Sequence, residues 1–361
     1  MFIMINLLQQ FGRGSFPPLR ILLFLILWTF MSCKNEYEGF SVNKDEAYQL
    51  NVPEGFPKMT FDVLGNPITV NGVALGKKLF YEGKLSRNNT ISCGFCHIQE
   101  YAFTHHGHTV SHGIDDRLGI RNAPPIQNMV FLRNYTWDGV SHNLDERSLV
   151  PITTDFEMDS SMPEVVGKLS ADANYKKMFR AAFGDDNITG ERVLKALSQF
   201  MATMISADSK YDQYRKGQVS FTQEESEGFS LFQQKCASCH SGELFTDESY
   251  RNTGMYYNAR FDDKGRYRVT LNIADYMKFR VPSLRNIEYT APYMHDGRFY
   301  SLEAVLNFYS DNVEDQPNLD PLLKQNGHIG IPMTNDEKQY IIAFLKTLSD
   351  KNFITNPKFS E

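Results

Sequence analysis

Cysteine is scarce in this chain, with five residues in 361. Four of the five fall in two copies of one motif, so no pair is left for a disulfide framework. Positive charge is too thinly spread for a nucleic-acid surface: the formal net charge is −6 and no basic run of any length occurs. Long apolar stretches are missing as well, and the run Ile21–Phe30 is too short to span a bilayer comfortably. No segment alternates apolar and polar residues over a useful length, which leaves little room for sheet and predicts an all-α fold. What remains is 42% hydrophobic residues, enough for packed cores. The length suggests about two domains.

What is present is organised around two short motifs. Ile91-Ser-Cys-Gly-Phe-Cys-His97 carries Cys93, Cys96 and His97 at C-x-x-C-H spacing, and Cys236-Ala-Ser-Cys239-His240 repeats it. The spacing has a chemical reason: two thiols bond to the two vinyl groups of one porphyrin, and the adjacent histidine reaches the iron. A lone C-x-x-C also serves as a thiol redox pair or as half a zinc site. Zinc needs four ligands, and no second pair follows either copy. A thiol pair does not account for a histidine directly after both. The motifs therefore predict two covalently attached c-type haems. Such attachment takes place outside the bacterial cytoplasm, so the missing disulfides do not argue for a cytosolic home. Haem propionates would make an acidic chain more acidic, and a partner protein with a basic patch is expected.

In chain order, Arg13 and Arg20 precede the apolar run and Met31-Ser-Cys33 follows it. This resembles a bacterial lipoprotein signal, with cleavage before Cys33 and a lipid anchor on it. Phe30 stands where that pattern prefers leucine, so an ordinary secretion signal or an uncleaved anchor is the alternative. Residues 1–33 are read as the signal, 34–50 as a polar tether, 51–207 as one haem domain and 208–361 as another, with the charged stretch 208–218 at the boundary. Periodicity predicts helices with apolar faces at Leu75, Leu79 and Phe80, at Val193, Leu197 and Phe200, and at Ile341, Phe344 and Leu345. Ser161, Thr222 and Thr334, each followed three residues later by Glu, predict capping boxes. His105, His106 and His108 could ligate a metal, but no carboxylate partner or fourth ligand is evident, and a solvated loop is the expectation.

Two C-x-x-C-H motifs with Trp137-Asp-Gly, Phe156-Glu-Met and Ala291-Pro-Tyr-Met-His-Asp-Gly297 resemble the bacterial dihaem cytochrome c peroxidase and MauG family over about Val73 to Leu348. The resemblance implies two cytochrome c-like domains, a peroxidatic haem in the first and an electron-transfer haem in the second. It makes His97 and His240 the proximal iron ligands, Trp137 the residue between the haems, and Glu157 the distal carboxylate of the peroxidatic pocket. It places a calcium ion on Asn122, Thr290 and Pro292, the last two through backbone oxygens, and oxygen-only ligation suits calcium. It also implies a small electron donor such as a cytochrome c, and a possible homodimer.

Three departures from the family pattern bear on function. Members that need reductive activation carry a distal histidine before Asn122. Here that loop is Gly113–Gly119 without a histidine, with His112 just upstream, so the first haem is expected to rest open. Ordinary peroxidases place a distal methionine fourteen residues after the histidine of His-Asp-Gly. From His295 that count reaches Tyr309, as in MauG-type members. Tyr309 is either an iron ligand or a core tyrosine. Arg147 stands where the family has a pocket glutamine. Apart from the family match, Glu157 reads as a structural carboxylate and Trp137 as core. With the match, Glu157 shuttles a proton of hydrogen peroxide, and Pro151 and Arg147 shape its pocket. The expectation is a periplasm-facing, lipid-anchored peroxidase. The rivals are a MauG-type oxidase of a partner protein and a dihaem electron carrier without enzymatic activity.

Overall fold

A hydroxyl able to accept an orphan amide marks where most helices begin. The computed structural model describes residues 45–325 and 327–361. The lipoprotein-type signal, Cys33 and the tether up to residue 44 lie outside the described residues. The longer helices are α1 (Val70–Phe80), α2 (Met162–Ser170), α3 (Ala173–Phe183), α4 (Gly190–Ala202), α5 (Lys210–Arg215), α6 (Gln223–Lys235), α7 (Leu302–Asp311) and α8 (Asn335–Lys346). Thr222 and Thr334 form full capping boxes with Glu225 and Glu337. At Ser161 the box is half made: its hydroxyl accepts from the Glu164 amide, while the Glu164 carboxylate turns to Lys168 at 2.8 Å. Among the described residues strand is confined to two-residue pairs. β1 (Tyr250–Arg251) runs antiparallel to β2 (Phe279–Arg280) with Tyr250 opposite Arg280, and β3 (Lys324–Gln325) pairs with β4 (His328–Ile329).

Two helix crossings organise the molecule, α1 on α4 and α6 on α8. Each depends on one glycine. A Cβ on Gly76 would collide with the Ala196 carbonyl, and one on Gly228 with the Tyr340 carbonyl. Around the first crossing Leu75, Leu79, Phe80, Val193, Leu197 and Phe200 are buried. Around the second lie Phe232, Ile341, Phe344, Leu345 and Leu348. The predicted apolar faces thus point inward. Phe353 and Phe359 return to the first core, and the Tyr81 hydroxyl donates to the Phe359 carbonyl at 2.5 Å.

Two stretches differ from their sequence reading. Residues 45–50, expected within the tether, belong to the body: the Tyr48 amide donates to Ile68 at 2.9 Å and the Val70 amide to Glu46 at 2.8 Å. The charged stretch 208–218 is partly interior, because its charge has a partner inside. Asp212 accepts two bonds of 2.9 Å from Arg285, whose side chain is fully enclosed. Among the described residues no helix is long and apolar enough to cross a membrane.

Candidate active site

Each C-x-x-C-H motif presents its histidine in the same way. Cys93–Cys96 form one helical turn capped by Ser92, and the chain then folds back so that Nδ1–H of His97 donates to the Phe103 carbonyl at 2.7 Å. In the second copy Nδ1–H of His240 donates to the Phe245 carbonyl at 3.1 Å. A carbonyl on Nδ1 fixes the tautomer and leaves the Nε2 lone pair for a metal. Burial keeps both rings neutral, lowering His97 to about 4 and shifting His240 in the same direction.

Both motifs open onto cavities. The first, about 900 Å³, is lined by Cys93, Cys96 and His97 together with Trp137, Arg147, Pro151 and Glu157. The second, about 500 Å³, is lined by Cys236, Cys239 and His240 together with Met294, His295 and Tyr309. Two thiols and a ready imidazole on the wall of one cavity fit a covalently held haem in each.

In the first cavity a carboxylate and a guanidinium face the space. The Glu157 carbonyl accepts the Ile114 amide at 2.8 Å, which pins this residue to the loop 113–119. Burial raises the Glu157 carboxyl above the usual range, against the pull of the Arg147 charge and the Ser111 hydroxyl. Burial in turn lowers Arg147, whose Nε donates to the Tyr135 carbonyl at 3.4 Å. Ser111 lines the cavity and was not singled out in the sequence, where nothing marks it. His112 turns aside, its Nε2 3.0 Å from Asp116.

The second cavity also has a guanidinium and a carboxylate on its wall, Arg251 and Asp320, but these are tied to each other at 2.8 Å. Tyr309 stands on α7 with its ring at the cavity wall, and burial raises its phenol strongly. Its hydroxyl has no hydrogen-bond partner among the described residues, whereas its carbonyl accepts the Ile331 amide at 2.7 Å.

Asn122, Pro125, Trp137 and Arg280 line both cavities. Trp137 Nε1–H donates to the Asn122 carbonyl at 2.9 Å, and the Asn122 amide donates to the His295 carbonyl at 2.7 Å. His295 is buried and stacks on Phe279 at 3.7 Å. Asn122, Thr290 and Pro292 share the wall of the second cavity. The Asn122 amide nitrogen donates to the His108 and Thr109 carbonyls, which leaves its oxygen without a donor among the described residues. No described residue donates to the Thr290 or Pro292 carbonyls either. Three free oxygens are a donor set suited to a hard cation.

The histidine-rich loop is solvated in part, as expected, with His106 and His108 exposed and His105 the exception. His105 is 4% exposed, stacks on His108 at 4.2 Å, and leaves its Nδ1 without a partner. His112 continues the stack 5.2 Å from His108. The faces of His108, His112 and Phe95 cover the His105 ring, so stacking accounts for the burial of His105. Among the described residues no three of His, Cys, Asp and Glu are placed to hold a metal ion.

Comparison with known proteins agrees with this arrangement. The family model described as di-haem cytochrome c peroxidase matches residues 70–220. The methylamine utilization protein MauG of Methylorubrum extorquens is 33% identical over 350 residues, covering 90% of this chain and 94% of that one. The cytochrome c551 peroxidase of Nitrosomonas europaea is 34% identical over 288 residues, covering 78% and 81%. The crystal structure of a MauG-like protein associated with microbial copper homeostasis has a TM-score of 0.79 at 34% identity, covering 87% of this chain and 99% of that one. The chain belongs to the dihaem cytochrome c peroxidase and MauG family.

Proposed function

We propose that this chain is a periplasmic dihaem oxidoreductase that consumes hydrogen peroxide at the first cavity and works in the MauG manner, oxidising a partner protein. The observation that carries the reading is the unlike equipment of the two cavities: Glu157 with Arg147 in one, Tyr309 in the other. Haem iron, if held by His97, would supply the redox chemistry that breaks an O–O bond.

The residues do the proton work. Reduction of peroxide to two waters needs two electrons and two protons, which the oxidised partner protein would give up. Glu157 takes the proton from one peroxide oxygen and returns it to the other, so that the departing fragment leaves as water. Arg147, a cation on the wall of the same cavity, favours the negative charge that develops as the bond parts. In the second cavity His240 and Tyr309 would ligate the iron. A phenolate ligand from Tyr309 would stabilise oxidised iron. Trp137, at the wall of both cavities, would carry charge between them. Asn122, Thr290 and Pro292 would hold calcium, whose part is structural.

Tyr309 turns the reading away from a peroxidase fed by cytochrome c, because a low-potential second haem accepts electrons poorly from a high-potential donor. The relatives bearing the name cytochrome c peroxidase favour that second reading. Reduced cytochrome c mixed with the holoprotein and peroxide decides between them. Little oxidation of the cytochrome, with a long-lived oxidised state of both haems, is the expected result. Stoichiometric oxidation of cytochrome c would replace the MauG-type reading with the peroxidase.

A further inference from the structure

The chain deals with its buried guanidiniums in two ways. Arg285, fully enclosed, is bound twice by Asp212 at 2.9 Å. Arg121 is bound by Asp263 and Asp138 at 2.6 and 2.7 Å. Both are complete within the protein. Arg280 is 6% exposed and has no carboxylate partner among the described residues. Its Nε donates to the Thr136 carbonyl at 3.3 Å and its Nη1 to the Val281 carbonyl at 3.4 Å, and Nη2 has no protein acceptor. The nearby Glu248 carboxylate is engaged elsewhere, accepting the Arg133 and Asn134 amides. A buried cation satisfied only by two long bonds to carbonyls is a costly arrangement unless an anion joins it.

The surroundings say where the anion comes from. Arg280 lines both cavities. Its backbone is fixed at the seam, because its amide donates to the Trp137 carbonyl at 2.8 Å and it sits opposite Tyr250 in the β1–β2 pair. A planar guanidinium fork matches a carboxylate. The carboxylates that haem would bring into these cavities are its propionates.

We propose that Arg280 is the seat of a haem propionate at the seam between the two cavities, and that this cation holds up the reduction potential of the haem it binds. The proposal rests on the reading that both motifs carry haem. A guanidinium beside a propionate favours the reduced, less positive iron, and its removal lowers that potential. Since Arg280 borders both cavities, the bound propionate belongs to the first haem, to the second, or to one of each.

The test compares the wild-type holoprotein with Arg280→Gln and Arg280→Lys by spectroelectrochemical titration of each haem, after counting haems by mass and by pyridine haemochrome. A fall in potential in Arg280→Gln, largely restored in Arg280→Lys, supports the proposal. Which haem falls identifies the owner of the propionate, and a fall in both means that Arg280 serves two. Two haems in every variant with unmoved potentials would overturn the proposal and leave the dihaem reading intact. If Arg280→Gln fails to mature, Arg280→Lys carries the test through the propionate vibration in the resonance Raman spectrum: a shifted vibration supports the proposal, and an unchanged one would overturn it. Fewer than two haems in the wild type would defeat the dihaem reading and this proposal with it.

Discussion

In the first half Phe103 holds His97, and Glu157 and Arg147 share the cavity. In the second half Phe245 holds His240, and Tyr309 shares the cavity. The attachment side is nearly the same object twice, down to the glycine at each helix crossing. The difference lies in what else reaches the space. Glu157 and Arg147, in no ion pair among the described residues, can move protons and steady charge, whereas Asp320 and Arg251 of the second cavity are spent on each other at 2.8 Å and the Tyr309 phenol, without a hydrogen-bond partner, is left to meet a metal. Sameness belongs to holding the cofactor and difference to what is done with it, so substitutions on one side should not disturb the other.

The largest expected effect comes from making the second cavity ordinary. Tyr309→Met exchanges an oxygen ligand for a thioether. It should raise the potential of the second haem by an amount on the order of a few hundred millivolts, since axial ligation spans about 0.8 V across haem proteins. Potentiometry of the low-spin haem measures this, and a potential unchanged by the substitution would make Tyr309 a core residue. The variant should also oxidise reduced cytochrome c with peroxide faster than the wild type does.

Next comes the first cavity. Glu157→Gln should slow peroxide cleavage by about 10²–10⁴-fold with both haems retained, the usual span for a positioned proton shuttle. Stopped-flow mixing with peroxide reads it. Burial raises this carboxyl, so the acid limb of the rate profile in the wild type should lie above the ordinary glutamate range and vanish in the variant. The sign for stability is opposite. The folded state binds this proton more tightly than the unfolded chain, so the stabilising contribution is full below the unfolded pKa and is lost as pH rises through the folded one. Glu157→Gln, neutral throughout, should therefore gain thermal stability relative to the wild type as pH is raised through that window.

The crossing glycines test the shared part. Gly76→Leu and Gly228→Leu each force a side chain into a facing carbonyl and should each cost about 1–3 kcal/mol, as overpacking does. Chemical denaturation should show similar losses for the two. A loss at one position alone would mean that the crossings are alike in shape but not in how tightly they are packed.

Much of this was legible in the sequence, for physical reasons particular to each residue. The haem motifs are covalent chemistry at fixed spacing. The faces of α1, α4 and α8 are periodic, and Thr222 and Thr334 carry their capping partners within four residues. What escaped depends on contacts between distant residues or on backbone atoms. The groups that hold His97 and His240 are carbonyls, which any residue supplies. Arg280 and Arg285 look alike in the sequence, and only folding shows that one has Asp212 and the other has none. His105 sits in a run that reads as polar, yet ring stacking buries it. The half-made box at Ser161 failed because Lys168, one turn on, competes for Glu164.

The smallest effect separates the helices that lead into the two motifs. Thr69 caps α1, with its hydroxyl accepting the Gly72 amide, and its own amide is tied across the crossing to Gln199 at 3.0 Å. Thr222 caps α6 in a reciprocal box with Glu225, whose carboxylate also binds Lys210 at 2.7 Å. Either threonine replaced by alanine loses one cap bond, worth about 1 kcal/mol. The consequences beyond that should differ. In Thr222→Ala, Glu225 still accepts the residue-222 amide and remains paired with Lys210, so the loss stays local. In Thr69→Ala the lost hydroxyl also bordered Gln199 of α4, so the α1–α4 crossing is loosened as well. Thr69→Ala should therefore be the more destabilising of the two by a few tenths of a kcal/mol on the same scale. Hydrogen exchange should report faster opening at both α1 and α4 in that variant, and at the start of α6 alone in the other. Equal protection of α4 in both variants would reduce the Gln199 contact to a bystander.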